Sequence, residues 1–347
     1  MRESTGPAAV PGLRRSDPRG PGITRERAVA GFLYRDPSGA QITSAQTLRR
    51  VGELVIPPGW NDVWISADPL GHIQATGIDR RGRTQYRYHQ LWRERRDAQK
   101  FEHMVRFAGA LPVLRTAALR DLGRRPAGGQ RLDRDRVAAG AVRLIDLGMF
   151  RIGGERYAEL DHHYGATTLR KRDVKVTRDG VLFDYIGKEG KRRTVTITDQ
   201  AVRPVVRALV SSGNDLDSLF GYQDGGTWRP LHSHEVSGYI AAHAGGHFTA
   251  KEFRTWNATV LMALLLAAAD PPPTGRGRKM AIAAGVRVVA DSLGDTPAVA
   301  RNSYIDPRLI SRYESDGRLP TIPASPAVLP AATEAEIAVA ALLAAEG

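Results

Sequence analysis

The stretch Leu293-Gly294-Asp295-Thr296-Pro297-Ala298-Val299-Ala300-Arg301-Asn302-Ser303-Tyr304-Ile305 sets a tyrosine near the end of the chain, on what reads as the last helix of an ordered domain. Upstream of it stand three basic signatures: Phe150-Arg151-Ile152-Gly153, Tyr185-Ile186-Gly187-Lys188 and Lys251-Glu252-Phe253-Arg254-Thr255-Trp256. The elements between them follow from periodicity. Phe101, Met104, Val105 and Ala108 recur at helical spacing, and Val137, Ala141, Leu144 and Ile145 mark a second helix. A β insert is predicted over about 173–197, with turns at Thr177-Arg178-Asp179-Gly180 and Gly187-Lys188-Glu189-Gly190-Lys191. Its closing strand is Thr194-Val195-Thr196-Ile197. Helices are then expected near 199–212, 233–243, 250–268 and 277–291.

The N-terminal side reads differently. From Thr24 to about His89 the pattern is one of short strands and turns. Ile56-Pro57-Pro58-Gly59-Trp60 is a turn and Val63-Trp64-Ile65 a strand. His72–Thr76 and Gln85–His89 flank the hairpin loop Asp79-Arg80-Arg81-Gly82-Arg83. The expected organisation is a disordered basic tail over 1–22, a small β domain over 23–90, a mainly helical domain over 91–315 with a β-hairpin insert, and a Pro-rich linker and Ala-rich helix over 316–347. The fold class is α+β.

Composition narrows the partner. The 347 residues carry 50 Lys+Arg against 37 Asp+Glu, a formal charge of +13, and the pI is about 10.3. That balance favours a polyanion, with nucleic acid the first candidate. Lysines are few (Lys100, Lys171, Lys175, Lys188, Lys191, Lys251 and Lys279), so most of the charge is arginine. An Arg fork grips phosphate oxygens bidentately, whereas a Lys can also give up a proton. The absence of cysteine excludes disulfides, thiol catalysis and Cys-ligated zinc. The longest apolar run, Val260 to Ala269, falls short of the roughly 20 residues a bilayer span needs. Residues 1–22 lack the apolar core of a secretory signal. A cytoplasmic, nucleoid-associated protein is expected.

An arginine, a lysine in a turn, an arginine within Lys-x-x-Arg and a late tyrosine supply what a protein hydroxyl needs to open a phosphodiester. Charge builds on the non-bridging oxygens and must be neutralised, and a proton must reach the leaving oxygen. No dense carboxylate cluster is present to hold a metal for that purpose, so cationic side chains are the natural substitute. In order and local context these segments resemble the type IB DNA topoisomerases, in their compact poxvirus and bacterial branch, from about Thr24 to Asp316. The match is carried by Gly294, Thr296, Pro297 and Ser303-Tyr304-Ile305 together with the three basic signatures.

The resemblance implies roles. Tyr304 is the nucleophile that forms a 3′-phosphotyrosyl bond, Arg151 and Arg254 clamp the scissile phosphate, and Lys188 protonates the leaving 5′ oxygen, with Lys191 its competitor if the register slips. Lys251 sits one turn before Arg254, in the slot where the related tyrosine recombinases commonly carry His. Gln85, Tyr86 and Tyr88 match residues that contact the target site, and Tyr157 matches a further contact. Arg80, Arg81 and Arg83 are expected to grip phosphates without sequence preference. Asp295 departs from the pattern: poxvirus members carry His there and some bacterial relatives Asn. An ionised Asp cannot donate a hydrogen bond to phosphate, so it is expected to orient a cation instead. Gly154 replaces a poxvirus lysine, which bears on target preference.

The resemblance further implies a monomer that clamps duplex DNA and relaxes supercoils by strand swivelling, with no cofactor, ATP or obligatory metal. A tyrosine recombinase or a catalytically weak DNA-binding relative is the alternative. Asp161, His162 and His163 invite a metal reading, but adjacent helical residues point apart. The pair in His232-Ser233-His234 lacks evident carboxylate support and is read as structural.

Overall fold

A computed structural model describes residues 10–124, 132–270, 272–319, 322 and 333–345. The chain divides into two compact units, the first ending at Phe101 and the second beginning at Glu102.

In the first unit, strands β1 (Ile23–Ala28), β2 (Gly31–Arg35), β3 (Asn61–Ile65), β4 (Ile73–Ile78) and β5 (Thr84–Tyr88) form one sheet in the order β2-β1-β3-β4-β5. Its pairings are antiparallel. Alternation turns Val63 and Ile65 of β3 to one face, where they pack with Ile23, Val51 and Ala75 under Trp60, Leu54 and Ile56. Val51 comes from helix α1 (Ala45–Glu53), capped by the Ser44 hydroxyl. This helix corrects the reading of Thr24–His89 as strands and turns alone. Arg50 fixes it by donating to Gln74 Oε1 at 3.1 Å and to the Ser66 carbonyl at 2.8 Å. Of the tail expected to be disordered, residues 1–9 lie outside the described residues. The part from residue 10 is hydrogen-bonded in place: the Arg14 N–H donates to Leu70 O, and the His72 N–H donates to Arg14 O, both at 2.9 Å.

Helix α2 (Gln90–Gly123) leads into the second unit, where its buried stripe runs through Met104, Phe107, Leu111, Leu114 and Leu122. Val105 and Ala108 are only half-buried, so the inward face centres on Phe107. Helix α3 (Arg134–Gly148), capped by Asp133, is buried along most of its length. After the short helix α4 (Glu155–Asp161), strands β6 (Val174–Val176), β7 (Val181–Ile186) and β8 (Arg192–Ile197) make an antiparallel meander. The insert thus has three strands, joined at the two turns that the sequence marks. Helix α5 (Val202–Val210) follows, then a hairpin of β9 (Gly221–Asp224) and β10 (Thr227–Pro230) that the sequence reading did not contain.

The remaining helices are α6 (Ser233–Ala244), α7 (Ala250–Ala268), α8 (Gly275–Leu293), α9 (Pro297–Ser303), α10 (Pro307–Asp316) and α11 (Thr333–Ala345). Helix α7 is the spine of this unit. The Thr249 hydroxyl accepts from the Lys251 N–H at 3.2 Å, while Glu252 reaches back to the Thr249 N–H at 2.7 Å. Beyond that cap, every residue from Phe253 to Leu264 is buried, the pattern of a helix enclosed on all sides. Each buried Phe, Val, Leu or Met of the run contributes about 1.5–3 kcal/mol by leaving water. Arg254 is the one charge in this run. Most of the linker and C-terminal residues assigned to 316–347 outside α11 lie beyond the described residues.

Candidate active site

A guanidinium buried in an apolar helix must find acceptors or be unstable there. Arg254, 3% exposed, donates to the Met149 carbonyl and to the Leu293 carbonyl, the latter at 3.1 Å. Its Nη2 also donates to Asp295 Oδ2 at 2.9 Å. Burial, and after it the neighbouring Arg151, lower its pKa from the usual value, while Tyr304 and Asp295 pull it back up. Arg151 donates through Nη2 to both oxygens of Asp295, at 2.8 and 2.9 Å. Two guanidiniums thus converge on one carboxylate. The cation that Asp295 orients is a pair, Arg151 and Arg254, and Lys251 has no bond to it. Among the described residues no protein group bonds Arg151 Nε or Nη1, which leaves donors for a second anion.

Tyr304 lies against Arg254, its ring centroid 5.0 Å from the guanidinium carbon. It is not inside the last helix of the domain, where the sequence reading put it. It is the C-cap of α9, at φ −128° and ψ −26°. The Thr296 cap and Pro297 start α9, and Ile305 turns inward behind the tyrosine. The Thr259 hydroxyl, one face further along α7, donates to the Tyr304 carbonyl at 3.2 Å. One helix therefore carries Lys251, Arg254 and the anchor of Tyr304. Tyr304 is half-buried. Nearby Tyr185 is 3% exposed, and burial raises its phenol above the ordinary range despite Arg193, Arg254 and Arg151. Of the two phenols, Tyr304 is the accessible one.

A small crevice beside the arginines is lined by Arg151, Tyr185, Gly187, Lys188, Lys191 and Arg193. Lys188 opens a single 3-10 turn, Lys188–Gly190, that joins β7 to β8. Its ammonium stands 3.6 Å from Glu189, more than half exposed. Lys191 lines the same crevice, so both candidate lysines reach it. Two glycines make the region possible. Gly153 has φ +92°, and Gly294, at φ +64°, closes α8 so tightly that a Cβ would sit 2.8 Å from Arg193 Cδ.

Arg193 escaped the sequence reading. Its Nη2 donates to Ser292 O at 2.6 Å, and its guanidinium lies over the Phe150 ring. It ties β8 to the end of α8, directly before Asp295. The available signal was its register: in β8, Arg193 falls in phase with inward Val195 and Ile197.

In the first unit, Tyr86 and Tyr88 share one face of β5, their rings stacked with centroids 5.8 Å apart. Arg87 turns away and donates to the Val55 carbonyl at 2.9 Å. Gln85 Nε2 donates to Asp79 Oδ2 at 2.9 Å, so one amide N–H is already engaged. Asp79 also accepts from the Arg81 and Arg83 N–H groups and from Arg83 Nε. The Arg83 backbone bond leads the effects that hold its carboxyl down to about 2. Arg80, Arg81 and Arg83 are exposed. In the second unit Tyr157 is exposed on α4. His232 has the carboxylate support the sequence did not show, Glu155 Oε1 at 3.1 Å. Among the described residues no His, Asp and Glu group could hold a metal ion, and no helix is long and apolar enough to cross a membrane.

A family model described as eukaryotic DNA topoisomerase I, catalytic core, matches residues 89–316, more than half of the chain, and the chain belongs to this family. A second model, described as the N-terminal domain of bacterial DNA topoisomerase IB, matches residues 31–79. The chain is also similar to a DNA topoisomerase 1B of Acanthamoeba polyphaga mimivirus, 29% identical over 303 residues that cover 85% of this chain and 88% of that one. The activity is that of a type IB DNA topoisomerase, which decides against the tyrosine recombinase alternative.

Proposed function

We propose that the Tyr304 hydroxyl is the nucleophile of this topoisomerase and that Arg151, Arg254 and Lys188 complete its site. The observation that carries the reading is the convergence of Arg151 and Arg254 on one anion beside the Tyr304 ring. A phenol, with an ordinary pKa of about 10, is activated by such positive charge. Tyr304 Oη attacks phosphorus and its proton passes to water. The bond from phosphorus to the 5′ oxygen breaks, Lys188 gives that oxygen a proton, and a 3′-phosphotyrosyl bond remains. The free 5′ end swivels, and its hydroxyl reverses the step. One ester replaces another, so the chemistry calls on neither ATP nor a divalent metal. The two arginines stabilise the equatorial oxygens as charge develops.

We further propose that one copy of the chain holds the duplex with both units, in the compartment where DNA lies. Tyr86, Tyr88, Gln85 and Tyr157 take the target site, and Arg80, Arg81, Arg83 and Lys251 take phosphates. Gln85 gives one amide N–H to Asp79 and keeps its carbonyl and second N–H for a base edge.

Relaxation of supercoiled plasmid in EDTA without ATP tests this. Wild type is expected to relax it and Tyr304→Phe to leave it supercoiled; relaxation by both would rule out Tyr304. The role of Lys188 is tested separately with a duplex carrying sulfur at the bridging 5′ position. A thiolate leaves without an acid, so Lys188→Ala is expected to be slow on oxygen and near wild type on sulfur. Equal slowing on both substrates would assign the acid elsewhere, with Lys191 next.

A further inference from the structure

Helix α11 is a separate piece of chain after Tyr304, and its bonds lead back to the site. Glu336, on its first turn, has a side chain only 12% exposed. Its Oε2 accepts from Arg115 Nη1 at 2.7 Å. Its Oε1 accepts from Arg115 Nη2 at 2.9 Å and from Trp256 Nε1 at 3.0 Å. Arg115, on α2, uses Nε and Nη2 on the Asp146 carboxylate of α3, at 2.8 and 2.9 Å. Burial opposes the charge on Arg115, but its bonds to Asp146 and Glu336 outweigh burial and raise its pKa.

Trp256 lies two residues beyond Arg254 and is 1% exposed. The next residue, Asn257, donates to the Asp146 carbonyl. The turn of α7 from Arg254 to Asn257 is thus held from two sides. Arg254 binds Met149, Leu293 and Asp295, while Trp256 and Asn257 bind Glu336 and Asp146. A second bond from α11 approaches the tyrosine: Arg308 donates to Leu343 O at 3.0 Å and to the Asp306 carboxylate at 2.8 Å. Asp306 follows Tyr304 by two residues and is wholly buried.

We infer that Glu336 is a positioning residue for strand cleavage, fixing the Arg254 turn of α7 against Tyr304 through Arg115 and Trp256. The inference rests on the reading that Tyr304 and Arg254 perform the chemistry. Displacing a positioned group by about 1 Å can cost on the order of 100-fold in rate. Glu336→Gln keeps an acceptor for Trp256 and loses the charge on Arg115; Glu336→Ala loses both.

The test is single-turnover formation of the covalent adduct by the full chain on a labelled duplex, with binding affinity measured alongside. Glu336→Ala is expected to slow adduct formation by about tenfold or more at nearly unchanged affinity, with Glu336→Gln between it and wild type. In an Arg254→Ala background, Glu336→Ala should add little further loss, because the two act through one group. Slowing that multiplies with Arg254→Ala, or no slowing at all, would overturn the inference. If Glu336→Ala does not fold, Glu336→Gln in the same cycle decides by the same criteria. Absence of any adduct in the unsubstituted protein would overturn the Tyr304 reading and the inference with it.

Discussion

At the scale of single residues, the site turns on Asp295. Two arginines and one carboxylate leave one net positive charge where the proposed reaction brings an anionic phosphate. The carboxylate holds both forks in place, yet it also competes for them. Asp295→Asn and Asp295→His are therefore expected to raise the cleavage rate. Asn keeps an acceptor for the arginines but not the charge, and the cost in stability is about 1–3 kcal/mol. Single-turnover cleavage and thermal unfolding together check this, and an unchanged or lower rate in both variants would sink it. Tyr185 supplies the control. It is buried, and burial raises its phenol, so Tyr185→Phe should still form the covalent adduct that Tyr304→Phe cannot. Loss of the adduct in Tyr185→Phe would question which phenol attacks.

At the scale of elements, the β4–β5 hairpin is held by Asp79, whose carboxyl is depressed to about 2 with the Arg83 backbone bond as leading cause. A depressed carboxyl contributes stability that is fully present above its unfolded value of 3.8. That contribution fades below this value and is gone once pH falls through about 2. The protection of the Arg81 and Arg83 amides, each taken against its intrinsic exchange rate, is accordingly expected to hold at pH 5 and to fall toward pH 2. Asp79→Asn should quicken their exchange at pH 5. Unaltered exchange in that variant would show that the turn does not depend on the carboxylate.

The long helices and the β insert were legible because their apolar periods are long and their turns carry Gly. Helix α1 was not, since Val51 is its buried residue and a single inward side chain sets no period. The end of α9 at Tyr304 was missed for a related reason. Seven residues starting at Pro297 read as helix continuing through the tyrosine, whereas inward-turned Ile305 and the Asp306 cap end one helix and start the next. The site's residue types were legible locally. Their meeting was not, because Asp295 joins Arg151 across 144 positions and no local pattern encodes that pairing.

At the scale of the whole molecule, a chain of charge +13 is expected to bind duplex in a salt-dependent way. Affinity for duplex should fall linearly on logarithmic axes, with a slope of about −0.9 for each phosphate neutralised. Removing Arg80, Arg81 and Arg83 together should flatten that slope while leaving the rate of cleavage within the bound complex alone. A slope that does not change would remove these arginines from the phosphate contacts. The covalent bond between DNA and Tyr304 can be read from the trapped protein itself. The protein is denatured during reaction with a suicide duplex, digested, and the peptide carrying the nucleotide is sequenced by mass spectrometry. The nucleotide is expected on Tyr304 through its 3′ phosphate; a nucleotide on any other residue, or attached through a 5′ phosphate, would overturn the role proposed for Tyr304.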